Sequence, residues 1–299
     1  FNRKVSGSDS LYWALAAYAK NHKINANDLY RICHRIRNTL PFFNSIDSLL
    51  DFNKNEELLV SVGKIAIINA ILNAERASNL HVKHPDRDIP FGKIETWLSK
   101  LFKIIMSGAE RSMEAKALEN IAFISFNYDR TVEHFLKCAF EQMSQIDETS
   151  AINIVSKLTI MHPYGLIAPL PWQASTSNVS FGNEINPQIL SEMGSNIKTF
   201  TERDHDKLYL NRMKNILSDA NTIIFLGFGF HQQNLELLSP DKKIEEKRIY
   251  ATTCGISPEN TPVLATQIRH FIQSEAASSD PILNDSPCSL FIDKFSLHF

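Results

Sequence analysis

The chain has 299 residues, of which 43% are hydrophobic and 21% charged, with a formal net charge of −2. That composition predicts a globular protein with ample core, arranged as one large domain or two of ordinary size. The near-neutral balance, without a long Lys/Arg run, argues against nucleic acid as the main ligand.

Helices are predicted first. Leu11 to Lys20 is a short amphipathic helix, and Glu56 to Arg76 carries apolar residues at Leu59, Val62, Ile65, Ala66, Ile68, Ile71 and Leu72, a broad helical stripe. Gly63 inside that helix costs about 1 kcal/mol relative to Ala, and close packing is its expected reason. A polar segment from His81 to Pro90, with Pro85, breaks the pattern. Trp97, Leu98, Leu101, Phe102 and Ile105 resume it.

After about residue 115 the pattern changes. Apolar runs of strand length appear at Ile121–Phe126, Leu158–Met161, Thr222–Leu226 and Arg248–Thr252, and helices are predicted over Thr131–Met143 and Gln232–Leu238. Strand–turn–helix units of this kind predict an α/β fold with a mainly parallel sheet covered by helices. Pro169 to Thr201 reads as a long loop with one short helix. Ala276–Pro287 reads as another loop, before a last strand over Ser289–Ile292.

The four cysteines, Cys33, Cys138, Cys254 and Cys288, form no Cys-x-x-Cys hook, so no structural zinc is expected. No apolar run approaches the roughly 20 residues of a membrane span, and no signal peptide is read at the start. A cytoplasmic protein with reduced thiols is the default expectation.

In open parallel α/β sheets, ligands bind outside the carboxyl ends of the strands. The four expected ends are Asn127-Tyr128-Asp129, His162-Pro163-Tyr164-Gly165, Gly227-Phe228-Gly229-Phe230-His231-Gln232-Gln233-Asn234 and Thr252-Thr253-Cys254-Gly255. If the strands are neighbours, an amide, a carboxylate, an imidazole and a glycine turn converge on one crevice. Each piece also has a plainer reading. Asp129 suits a helix cap, His162 a hydrogen-bonded core histidine, Gly227 and Gly229 a tight turn, and His231 a solvated turn residue.

The set ISFNYDRTVE, then MHPYG, then IIFLGFGFHQQN resembles the sirtuin-like NAD-binding fold. It is most similar to the divergent bacterial branch found in anti-phage defence. FNSIDSLL, with Ile46-Asp47, and the helix GKIAIINAILNAE are similar to those proteins too. The resemblance implies a Rossmann-like domain over residues 116–299, begun by residues 1–20, with an inserted helical module over 21–115.

The resemblance further implies hydrolysis of NAD to nicotinamide and ADP-ribose, depleting the infected cell. A non-catalytic sensor that binds NAD or ADP-ribose and signals through oligomeric assembly is the alternative. Asn127 would hold the nicotinamide ribose and the attacking water, and His162 would act as general base or ribose contact. Asp129 would orient the Asn127 turn, with Tyr128 beside it. Gly227, Phe228, Gly229, Asn234 and Thr252 would meet the nucleotide. A homo-oligomer is implied, with an ATPase, helicase-like or Argonaute-type partner or a phage-derived activator. NAD is the substrate, and no further cofactor, metal, membrane or nucleic-acid contact is expected.

Three features depart from the family. Protein deacylation is disfavoured without the zinc cysteines. The family's Gly-Ala-Gly-x-Ser phosphate loop is absent from the sequence. The opening Phe1-Asn2-Arg3-Lys4, continued by GSDSLYWAL, is similar to the segment just after that loop in the family, so either the loop precedes Phe1 or the protein lacks it, and a protein that lacks it is not expected to bind or cleave NAD well. Gly229 stands where many relatives have Ser.

Overall fold

Where apolar residues recur at helical spacing and a polar side chain meets the first free amides, the chain forms a helix. Asn25, Ser45 and Asp147 each accept from a first-turn amide, and Thr96 with Ser99 forms a reciprocal capping box. The computed structural model describes residues 8–82, 88–110, 114–173, 175, 178–184, 190–199, 207–240, 247–272 and 280–298. The opening Phe1–Gly7, Pro85, residues 174, 176, 177, 185–189 and 200–201 of the Pro-rich loop, and residues 276–279 of the last expected loop lie outside this set.

In chain order the elements begin with α1 (Ser8–Asn21), α2 (Ala26–Thr39), α3 (Ile46–Phe52), α4 (Glu57–Ala77), α5 (Trp97–Met106) and α6 (Glu114–Ala117). Next come β1 (Ala122–Ile124), α7 (Thr131–Ser144), α8 (Glu148–Val155), β2 (Thr159–Met161), α9 (Leu190–Asn196) and α10 (Lys207–Asp219). The chain closes with β3 (Thr222–Phe225), α11 (Gln232–Leu238), β4 (Arg248–Thr252), α12 (Thr261–Ile272), β5 (Ile282–Asn284) and α13 (Cys288–Phe295).

This is a mixed α/β chain with small sheets. Among the described residues the strands form two sheets, β1–β2 and the all-parallel β3–β4–β5. Two units divide the chain, residues 1–89 with 123–204 and residues 90–122 with 205–299.

The first unit is organised around α4. Its Leu59, Val62, Ile65, Ile68 and Leu72 are buried with Leu49 and Leu50 of α3, Ile167, Ala168 and Val179 of the loop after β2, and Met193 of α9. Gly63 is explained by that packing: a Cβ there would lie 2.3 Å from Leu50 Cδ2. The close approach outweighs the helix propensity forgone. By length and composition α4 is also apolar enough to cross a membrane. That differs from the expectation of no apolar run near such a length; Lys64, Asn69 and Glu75 lie within this helix. All three are buried within the first unit.

The second unit alternates strand and helix. β3 pairs with β4 and β4 with β5, with Ile223 opposite Ile249, Tyr250 opposite Ile282 and Thr252 opposite Asn284. Tyr250, Phe291 and Ile292 form a buried cluster against Trp97, Ile104 and Phe295.

One expectation is corrected here. Ser289–Ile292 is not a strand but lies inside α13, and β5 occupies Ile282–Asn284, a stretch read as loop. Phe291, Ile292 and Phe295 share one helix face at helical spacing, while β4 supplies the ladder that Ile282–Asn284 completes. Short apolar runs do not distinguish the two states by themselves.

Candidate active site

β1 ends within three residues, and Ser125 N makes one more bond, to Met161 O (2.8 Å). The Asn-Tyr-Asp-Arg turn beyond it is then fixed residue by residue, each in a different direction. Tyr128 is buried, and its hydroxyl donates to Asp47 Oδ1 on α3 at 2.6 Å, with Lys198 O 3.3 Å away. Asp129 Oδ1 accepts from Thr131 N at 2.9 Å, satisfying an amide at the entry to α7. The cap position itself is Arg130, so Asp129 supports the helix entry from one residue before the cap.

Arg130 is fully buried. It is held by Glu75 of α4, with Nε 3.1 Å from Oε1 and Nη2 2.5 Å from Oε2. The guanidinium also donates to the carbonyls of Val179, Ala168 and Ser180, and Gly182 N donates to Glu75 Oε2 at 2.9 Å. Buried charges persist only when paired and hydrogen-bonded. Both partners here meet that condition, so the knot ties the loop after β2 to α4.

His162 comes directly after β2. Its turn is closed by Gly165 N donating to His162 O at 2.9 Å. Gly165 has φ +79°, and a Cβ there would stand 2.0 Å from Asn196 O, so only glycine fits. The imidazole Nδ1 lies 3.1 Å from the Asn127 carbonyl and Nε2 lies 2.7 Å from Glu133 Oε1 on α7. A carbonyl only accepts, so Nδ1 carries a hydrogen, and Nε2 shares a proton with the carboxylate.

The ring is 6% exposed and the Glu133 side chain 4%. Burial pushes the histidine pKa down. The hydrogen bond and charge of Glu133, the Asn127 carbonyl and the Asp129 charge together outweigh it and hold the imidazole above its ordinary range. Glu133 Oε2 is the one buried side-chain polar atom without a hydrogen-bond partner among the described residues. Such an atom typically costs about 1–3 kcal/mol.

The structure therefore joins the Asn127 backbone to the His162 ring, 35 positions apart in sequence, while Asp129 reaches the ring only through its charge. Asn127 itself is exposed. Glu133 is the residue that sequence reasoning missed. Its signal was available: it lies at the spacing of the buried stripe Val132, Leu136, Ala139 and Phe140, where a solvated carboxylate does not belong.

Gly227, Phe228, Gly229, Asn234 and Thr252 belong to the second unit. Gly227 has φ +60°, and its N donates to Thr252 Oγ1 at 2.8 Å, which ties the end of β3 to the end of β4. Phe228 and Phe230 pack edge to face, with centroids 5.0 Å apart, against Phe225. Phe230 is held at φ +47°, a sparsely populated conformation for a bulky residue. Gly229 and His231 are exposed, and Asn234 lies in the first turn of α11.

A Cys/His pair on α7 has no catalytic character. His134 stacks on Phe181 at 4.0 Å and lies 3.0 Å from Leu80 O, and burial pushes its pKa down to about 4. Cys138 Sγ is 3.8 Å from His134 Nε2, but burial pushes that thiol up to about 11. Neither is in the charged form that a thiolate–imidazolium pair needs. Among the described residues no group of three or more His, Cys, Asp and Glu is placed to hold a metal ion. The chain matches no protein-family model, no curated protein and no solved structure.

Proposed function

We propose that the chain is an NAD glycohydrolase, cleaving NAD to nicotinamide and ADP-ribose, with Asn127 and His162 at the reacting ribose. The observation that carries this reading is the direct bond between His162 Nδ1 and the Asn127 carbonyl. It ties the imidazole of one strand end to the backbone of the other, at the residue whose exposed side-chain amide this reading uses. The chemistry is assigned to the first unit. A Rossmann-like, sirtuin-like fold and a role as an NAD-depleting effector of bacterial anti-phage defence rest on the motifs NYD, MHPYG and GFGFHQQN.

Breaking the nicotinamide–ribose bond builds positive charge on the sugar, as in glycoside hydrolysis. Nicotinamide leaves neutral, so no strong general acid is needed. The site must position the ring, exclude bulk water and present one water or hydroxyl to the opened face. The exposed Asn127 side chain can hold that group without adding charge. Once the Nδ1 hydrogen that bonds the Asn127 carbonyl has been lost to solvent and the proton toward Glu133 is kept on Nε2, His162 can take the hydroxyl proton at Nδ1.

The test is nicotinamide release by the purified full chain, alone and with extract of phage-infected cells. His162→Ala is expected to lower turnover about 100-fold or more, the usual range for loss of a positioned base, and Asn127→Ala to abolish it, both with native circular dichroism. Retained turnover in both variants would refute the assignment. ADP-ribose binding with no product under either condition would replace hydrolysis by the sensor reading.

A further inference from the structure

The two buried glutamates of the first unit are used differently. Glu75 has both oxygens taken, by Arg130 and by Gly182 N. That is how a carboxylate with a purely structural task is satisfied. Glu133 is as deeply buried, yet bonds through Oε1 alone and leaves Oε2 without a partner among the described residues. A carboxylate retained at that cost, and directed at a histidine, calls for a reason other than stability.

We propose that Glu133 is the positioning residue of His162: its Oε1 fixes the ring and keeps a proton on Nε2, which leaves Nδ1, now on the Asn127 carbonyl, as the nitrogen that exchanges a proton with the reacting molecule. The geometry matches the arrangement in which one acid orients an imidazole that acts through its other nitrogen. The charged groups acting on the ring are Glu133 on α7 and Asp129 at the entry to α7. Arg130, between them in sequence, is turned to Glu75. The identity of the reacting molecule rests on the NAD-hydrolase reading, but the role of Glu133 toward His162 does not.

The experiment tracks His162 itself. Imidazole resonances of the full chain are titrated by NMR in wild type, Glu133→Gln and Glu133→Asp, with His162→Ala assigning the signal. In parallel, nicotinamide release is measured against pH. Removing an adjacent carboxylate charge shifts a partner by about one pH unit or more. With Glu133→Gln, burial, already the largest single influence, is opposed by the Asn127 carbonyl and the Asp129 charge without the Glu133 charge, so the His162 midpoint is expected to fall by at least that much. The acid limb of turnover should move down with it, with a lower kcat at little-changed KM. Glu133→Asp, which keeps charge but shortens the reach, should fall between.

A His162 midpoint unmoved in Glu133→Gln would overturn the proposal. If that variant loses its native circular dichroism, an unmoved midpoint in Glu133→Asp overturns it instead. A lowered midpoint in a protein that releases no nicotinamide would uphold the role of Glu133 and refute the hydrolase reading separately.

Discussion

Replacing Arg130 by methionine isolates the energetics of the buried knot. The guanidinium is fully buried and serves Glu75 through two nitrogens and the carbonyls of Val179, Ala168 and Ser180. Methionine fills much of its volume and supplies no donor. Glu75 would then keep a single partner, Gly182 N, and two carbonyls in buried residues would lose theirs. Breaking a buried pair from one side costs about 3–5 kcal/mol, against about 5–15 kcal/mol for a whole domain. Glu75→Gln removes charge but keeps a hydrogen-bonding group, and Arg130 retains three carbonyls, so about 1–3 kcal/mol is expected. The double variant Arg130→Met/Glu75→Leu contains no orphaned carboxylate and should be more stable than Arg130→Met alone. Urea unfolding of the full chain, monitored by far-UV circular dichroism, ranks the three. A loss below about 1 kcal/mol in Arg130→Met, or a double variant no more stable than Arg130→Met alone, would refute the coupling.

His134 is buried neutral with a pKa pushed down to about 4, while the unfolded chain protonates it near the ordinary 6.5. Its contribution is therefore present above about pH 6.5 and lost as pH falls toward 4. Thermal melts at pH 7 and 4.5 should show a smaller pH dependence in His134→Phe, and an equal dependence would contradict this. His162 acts in the opposite sense: its pKa is raised, so its ion pair stabilises below about 6.5 and fades as pH rises through the folded value. In the second unit, Thr252→Val removes the acceptor of Gly227 N and should cost about 1 kcal/mol in thermal unfolding. Thr252→Ser should not, and a valine variant melting with wild type would sink that reading.

The long helix around Gly63 was legible because its apolar stripe runs through most of α4, Glu57–Ala77. Arg248–Thr252 and Gln232–Leu238 likewise stand at their predicted bounds. Asn127 and His162 were legible as strand ends, because polar side chains that stop an apolar run need partners. Arg130 was not, and Glu133 was legible only through its place on the apolar stripe of α7, a signal that was passed over. An acid and a base beside a helix start read as a solvated, dipole-matched pair, and the packed neighbours show that both are buried. The clamp made by Val179, Ser180 and Gly182 was hidden for another reason: backbone groups carry no signature in sequence. α13 was misread because four residues, Ser289–Ile292, are too few to reveal a period.

The turn after β1 has a practical consequence for anyone dissecting this protein genetically. Tyr128, Asp129 and Arg130 each hold up a different part of the architecture, so inactive alleles at those codons report collapse as readily as lost chemistry. Asn127 alone presents its side chain to solvent, and its side-chain amide makes no hydrogen bond among the described residues. It is the codon in that stretch where a dead phenotype can be attributed to reactivity.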